Sequence, residues 1–266
     1  MVAYSCNIAC KGCISLSDFP RDGVAPLEDI KSWIDHWCDL IEPDILTIFG
    51  GEPCLHPDLL TICAHVRSAW PTSTIRLITN GYFLHKFDSA KWFDFAPFEM
   101  QVSVHRKDHE KHINMFMGKI LKHRSDWKVT RHGGDQHKQM EWTSGDVSIY
   151  KSIFKDFIVP YDLKQDKITP YSSDPTEAHK ICGSPNTPIL YKGKLYKCPP
   201  VANIMDITGE NFMNYVACEN EDTLTEFVNN IGKPHGVCAQ CPSQQTAKII
   251  DHFNTRNVIV KNKITS

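Results

Sequence analysis

Ile45-Leu46-Thr47-Ile48-Phe49-Gly50-Gly51-Glu52-Pro53 opens as an unbroken run of β-branched and large apolar side chains and stops at two glycines, an acid and a proline. A short apolar run bounded by turn residues reads as a buried strand. Leu59, Leu60, Ile62 and Val66 follow at helical spacing, with Pro57 suited to the first turn. Strand, turn and helix in that order are half of a βαβ unit, and the alternation continues on both sides. Residues 74–79, 100–105 and 127–130 read as further strands. Ile30, Trp33, Ile34 and Trp37, and later Ile113, Phe116, Met117, Ile120 and Leu121, mark helix faces. Recurrence at intervals of roughly 25 to 30 residues predicts an α/β fold with a parallel sheet. Ligands of such sheets lie at the carboxyl ends of the strands, which is where Cys6, Gly50 and Asn80 fall.

Val147, Tyr150, Phe154 and Phe157 predict one more helix over 146–158. Prolines, serines and aspartates then dominate 161–175, as in a linker or domain edge. Beyond it, 188–198 reads as a hairpin turning at Lys192-Gly193, followed by a helix near 223–231 and a closing Cys-x-x-Cys.

With 266 residues, 41% of them hydrophobic, the chain has material for one large domain and an appendage. Lysine and arginine number 29 against 31 acidic residues, so no basic field points to duplex nucleic acid. No stretch approaches the roughly 20 apolar residues of a membrane span, and no leader pattern precedes the first cysteine. The reading is a soluble, cytoplasmic chain without a membrane partner. In a reducing compartment its 11 cysteines are metal ligands, catalytic groups or buried thiols rather than disulfides.

Cys6-Asn7-Ile8-Ala9-Cys10-Lys11-Gly12-Cys13 sets three thiols within one loop. Thiolates so placed can grip an iron–sulfur cluster or zinc, and three ligands on a four-iron cluster leave one iron open. The spacing C-x3-C-x2-C, with Gly50-Gly51-Glu52-Pro53 after the second strand, resembles the radical S-adenosylmethionine (radical SAM) superfamily. That resemblance implies a partial (β/α)6 TIM-like barrel over 1–165. It also implies a [4Fe–4S] cluster on Cys6, Cys10 and Cys13, and S-adenosyl-L-methionine bound through Gly50, Gly51, Glu52 and Pro53. Asn80, in Thr79-Asn80-Gly81, and Ser103 fall where family members contact the same cofactor. One position departs from the pattern: the aromatic residue that usually precedes the third cysteine is Gly12. Only five residues precede Cys6, which suggests a first strand that is truncated or begins at a different initiator.

Cys182 and Cys198 flank the predicted hairpin as C-x10-G-x4-C, and Cys238-x2-Cys241 supplies two more thiols. A four-cysteine set fits an iron–sulfur cluster or a zinc ribbon equally. The pattern resembles the twitch form of the SPASM auxiliary-cluster domain, implying a small cysteine-rich domain over 166–266 with a second [4Fe–4S] cluster. Cys38 and Cys63 read as buried small hydrophobes, while Cys54 and Cys218 stay unassigned. His105, His109 and His112, with neighbouring basic residues, read as the solvated face of a helix, although His105 and Arg106 follow directly on the fourth strand. His132 and His137 form a further candidate pair.

The resemblance further implies reductive cleavage of S-adenosylmethionine to a 5′-deoxyadenosyl radical, which takes hydrogen from a small polar molecule or a peptide. A fully ligated auxiliary cluster would act as an outer-sphere electron acceptor, making the reaction a net oxidation, as in family dehydrogenases of cyclitols and relatives that modify peptide side chains. An external one-electron donor such as flavodoxin or ferredoxin is implied. Two alternatives stay open: a zinc-stabilised, non-catalytic binding protein, and radical modification of a nucleotide or nucleic acid.

Overall fold

The chain folds into two units, Met1–Asn7 with Asp22–Lys155 and Ile8–Arg21 with Asp156–Ser266, in a computed structural model. The structure describes residues 1–259 apart from Pro20, 134–137, Lys155, 165–166 and 252–257, and describes only the backbone at Lys107, Asp251, Val258 and Ile259. The first division between units falls after Asn7, inside the first cysteine motif. The first strand, β1 (Ile8–Ala9), therefore belongs to the second unit.

A six-stranded sheet organises the first unit, in the order β2 (Ile45–Ile48), β3 (Thr74–Thr79), β4 (Phe98–Ser103), β7 (Val147–Ser152), β6 (Lys138–Ser144) and β5 (Lys128–Arg131). The first four run parallel, while β6 and β5 are antiparallel. The fold is thus mixed α/β with a mostly parallel central sheet. Where the resemblance implies six βα repeats, the last two strands enter by hairpin pairing. On one face Ile75, Leu77, Met100, Val102 and Ile149 are fully buried. The helix α2 (Leu59–Ala69) packs on β3, and α1 (Leu27–Cys38) on α2. The other face is polar and laced across the strands: Arg76 Nε donates to Glu99 at 2.7 Å, Tyr150 to Gln101 at 3.0 Å and Ser148 to Glu141 at 2.7 Å. The third helix, α3 (Glu110–Ile120), buries Ile113, Phe116, Met117 and Ile120 as its spacing predicts.

The helix predicted over 146–158 is not formed. Gly145, at φ 54°, turns the chain so that β7 pairs with β6 on one side and β4 on the other, with Val147 and Ile149 buried on alternate positions. Helical and strand periodicities agree at several of these apolar positions, and the available ladder partners decide in favour of the strand.

In the second unit, β8 (Asp156–Ile158) pairs with β13 (Ile249–Asp251), and β1 with β14 (Val258–Ile259). The stretch read as a linker contains a hairpin of β9 (Asp162–Lys164) and β10 (Lys167–Thr169). The hairpin predicted over 188–198 is present as β11 (Ile189–Tyr191) and β12 (Lys194–Tyr196). Helices α4 (Pro175–Lys180), α5 (Pro199–Thr208) and α6 (Glu221–Asn229) follow in the chain, the last close to its predicted position. Leu16, Val159, Tyr161 and Ile204 share one small core, joined by Phe19, Ile168 and Ile250. This core, with Arg21 donating to Ser15 O at 2.8 Å and to Tyr191 Oη at 3.1 Å, is why the loop 8–21 belongs with the C-terminal residues.

Candidate functional site

The Gly50-Gly51 pair sits where β2 ends, and its lack of side chains has a definite steric cause. A Cβ on Gly50 would stand 2.3 Å from Ala3 O, and one on Gly51 would stand 2.1 Å from Ser5 O. The N-terminal segment runs parallel to this turn. Val2 N–H donates to Phe49 O at 2.9 Å, Gly51 N–H to Ala3 O at 2.8 Å and Glu52 N–H to Ser5 O at 2.9 Å. The sequence predicts that the glycines admit a ligand; in the structure they admit backbone, bringing the residue before Cys6 against the strand end.

Glu52 is completely buried. Its Oε1 accepts from the Thr79 hydroxyl at 2.6 Å and from Cys54 N–H at 2.9 Å, and its Oε2 accepts from Asn80 N–H at 2.8 Å. Burial pushes the carboxyl above its ordinary range, and the three donors oppose that shift. The Cys54 thiol is a fourth group bonded to the carboxyl and opposes the shift in the same direction. Pro53 begins the single turn after Glu52 and is buried.

Asn80 joins this turn to the first cysteine. Its side-chain amide donates to Asn7 Oδ1 at 2.7 Å and lies 3.9 Å from Cys6 Sγ, while its Oδ1 accepts from Tyr82 N–H at 3.0 Å. An amide N–H beside a thiolate sulfur suits a cluster ligand, because such bonds favour the charged form. Ser103 closes β4, buried opposite Ser152, with Gln101 Nε2 at 3.5 Å from its hydroxyl. Cys54 lies against Thr79 Oγ1 at 3.3 Å, and burial followed by the Glu52 charge pushes its thiol well up, as befits an inert core thiol. Cys63 is likewise buried and pushed up to about 12, whereas Cys38 is half-exposed and Cys218 is buried on the Asn220 carbonyl at 3.5 Å.

In the second unit, Cys13 N–H donates to Cys10 O at 3.3 Å across Gly12, whose φ of 74° is open to glycine. A side chain at position 12 would meet Phe157 Cβ at 3.1 Å, so the space of the missing aromatic is already taken. Cys13 is a free thiol, its Sγ 3.5 Å from Ser17 Oγ.

Cys182, Cys198, Cys238 and Cys241 are also free and half-buried. Burial pushes Cys198 up to about 12, with Cys182 and Cys238 adding to the shift; Cys241 is pushed well up by burial and then by Cys198, Cys182 and Cys238. Thiols that oppose one another's ionisation lie within electrostatic reach of one another. Among the described residues, no three His, Cys, Asp or Glu side chains converge tightly enough to hold a single metal ion.

Residues 1–115 match a family model described as a 4Fe-4S single cluster domain. The match supports an iron–sulfur protein. It spans Cys6, Cys10, Cys13 and the Gly50–Pro53 turn, and the C-terminal cysteines lie outside it. A search of the curated proteins finds no match. No described helix is long and apolar enough to cross a membrane.

Some side-chain contacts around these sites carry no signal in the sequence. Asn7 and Asn80 act through side-chain bonds between segments 73 residues apart. His109, read as part of a solvated face, is 1% exposed with both ring nitrogens unpaired, its ring 4.9 Å from Tyr82. His132 lies 3.1 Å from Glu141, and His137 lies outside the described residues.

Proposed function

We propose that the chain is a radical SAM enzyme whose [4Fe–4S] cluster is held by Cys6, Cys10 and Cys13. The observation that carries this reading is the Asn80 bridge: Cys6 stands beside the carboxyl ends of β2 and β3, where the Gly50–Pro53 turn also lies, within the stretch matched by the four-iron family. Three thiolates leave one iron for the amino and carboxylate groups of S-adenosylmethionine. With the cluster reduced, that cofactor supplies a 5′-deoxyadenosyl radical able to take hydrogen from substrate. Gly50, Gly51, Glu52 and Pro53 would hold the methionine moiety, the Glu52 carboxyl offering its ammonium an acceptor. Asn80 and Ser103 orient the nucleoside end.

The polar face of the sheet supports a substrate rich in hydrogen-bonding groups, a small polar molecule or a peptide. Arg76, Glu99, Gln101 and Tyr150 line that face. Cys182, Cys198, Cys238 and Cys241 would hold an auxiliary [4Fe–4S] cluster able to accept an electron, which would make the reaction a net oxidation, started by an external one-electron donor of flavodoxin or ferredoxin type. The setting is a reducing cytoplasm.

Anaerobic incubation with dithionite and S-adenosylmethionine tests the proposal by the yield of 5′-deoxyadenosine. Cys10→Ala abolishes the product, and Cys198→Ala spares cleavage while impairing substrate turnover. Equal cleavage by both variants would contradict the assignment of roles, and stoichiometric zinc without iron would favour the binding-protein alternative.

A further inference from the structure

Three histidines converge on Tyr82, which follows the Thr79-Asn80-Gly81 turn at the carboxyl end of β3. The His109 ring stands 4.9 Å from the Tyr82 ring and the His112 ring 4.8 Å, while His85 Nδ1 is bonded to Tyr82 O at 2.9 Å. Tyr82 N–H in turn donates to Asn80 Oδ1 at 3.0 Å. A Cβ on Gly81 would stand 2.8 Å from both Ile113 and Val102, so this turn is pressed against α3 and β4. His109 differs from the other two histidines: it is buried, and neither ring nitrogen has a partner. Among the described residues, the charged and titratable groups that face it are Asp108, Arg106 and His112 from its own segment and Tyr82 from the turn. The one anion is already engaged, since Arg106 Nε donates to Asp108 Oδ1 at 2.8 Å and Nη2 to Oδ2 at 2.7 Å. An imidazolium at this place would be a buried charge without an acceptor, which is strongly unfavourable.

We propose that His109 is a pH-sensitive latch on the strand-end turn: the neutral ring packs against Tyr82 and keeps the turn closed, and the protonated ring leaves for water and releases it. The latch goes beyond the enzymatic reading and needs no cluster or cofactor. Because Asn80 also donates to Asn7 Oδ1, release of Tyr82 loosens the link between this turn and the first cysteine motif. The sign follows from linkage. Burial holds the closed ring below the ordinary histidine value, the Asp108 charge opposing it, whereas a released ring titrates near about 6.5. The open form then binds the proton more readily, so closure is fully favoured above about pH 6.5 and weakens as pH falls toward the closed-form value. Between the two values the opening constant rises by up to about tenfold per pH unit.

Hydrogen exchange of the full chain measures the opening, read by mass spectrometry on peptides covering 80–86 and 105–112 and corrected for intrinsic exchange at each pH. From about pH 7.5 to about pH 5.5 the opening constant of the parent is expected to rise about three- to tenfold. His109→Phe keeps a ring and removes both nitrogens, and its opening constant is expected to stay level. A parent without the rise, or a rise that survives in His109→Phe, overturns the proposal. Histidine NMR of the parent needs no variant: of the two imidazoles in contact with the Tyr82 ring, one is expected to stay neutral below about pH 6. Titration of both near the ordinary histidine value overturns the proposal as well.

Discussion

At the scale of single residues, two features of the Gly50-Gly51-Glu52 turn have measurable consequences. Gly51→Ala places a Cβ 2.1 Å from Ser5 O, where neither backbone can give way without losing the Gly51–Ala3 and Glu52–Ser5 bonds. A loss of about 3 kcal/mol or more is expected in urea unfolding, together with weakened iron retention, since the displaced segment leads directly into Cys6. Glu52→Gln changes almost no volume. It replaces an acceptor oxygen by an amide donor that must face a buried donor, whether Asn80 N–H on one side or the Thr79 hydroxyl and Cys54 N–H on the other. The expected cost is about 1–3 kcal/mol, with S-adenosylmethionine binding weakened in equilibrium dialysis. A Glu52→Gln protein as stable as its parent would show that the three donors contribute little.

At the scale of elements, the two readings of 146–158 and 188–198 show what short-range pattern can do. The hairpin over 188–198 was legible because Lys192-Gly193 is a turn signal in its own right, and both residues adopt positive φ, 48° and 82°. Gly193→Ala is accordingly expected to cost about 1–2 kcal/mol, read as a lowered melting temperature, because alanine in the left-handed region crowds the following carbonyl. The strand β7 was not legible as such. Its pairing depends on β4, some fifty residues upstream in register, Phe98 with Val147 and Ser103 with Ser152, and no local pattern reports a partner at that distance. Glu52, by contrast, stands out in the sequence as part of Gly50-Gly51-Glu52-Pro53, while bonds that hold it come from Thr79 and Asn80 on a different strand end.

At the scale of the whole molecule, acid stability draws on Asp206. Burial alone would raise its carboxyl, but Lys192 and Tyr191 bonded to it, with Arg21 at 3.3 Å, hold it below the ordinary carboxylate range. The folded form then binds its proton less readily than an unfolded carboxyl of about 3.9. That contribution is fully present above the unfolded value and is lost as pH falls through the folded one. Asp206→Asn is expected to destabilise by about 1–3 kcal/mol at neutral pH and to flatten the acid limb of a stability profile below about pH 4. On the proposed reading, removal of iron by an anaerobic chelator is expected to lower the melting temperature as well, because thiolates that ligate a cluster lose the metal that joins them.

The sequence by itself determined the mixed α/β class, the helices at 27–38, 59–69 and 110–120, the strands around 45, 74 and 100, and the cysteine spacing whose first 115 residues match a 4Fe-4S family. Those features rest on contacts between near neighbours in the chain, so periodicity and spacing carry them. Only the tertiary structure decided that the paired glycines receive the backbone of Ala3 and Ser5, that Asn80 reaches Cys6, and that 147–152 is a strand. Each of these depends on which distant segment arrives at a given place, because burial and hydrogen-bond pairing are properties of the packed chain and not of any window along it.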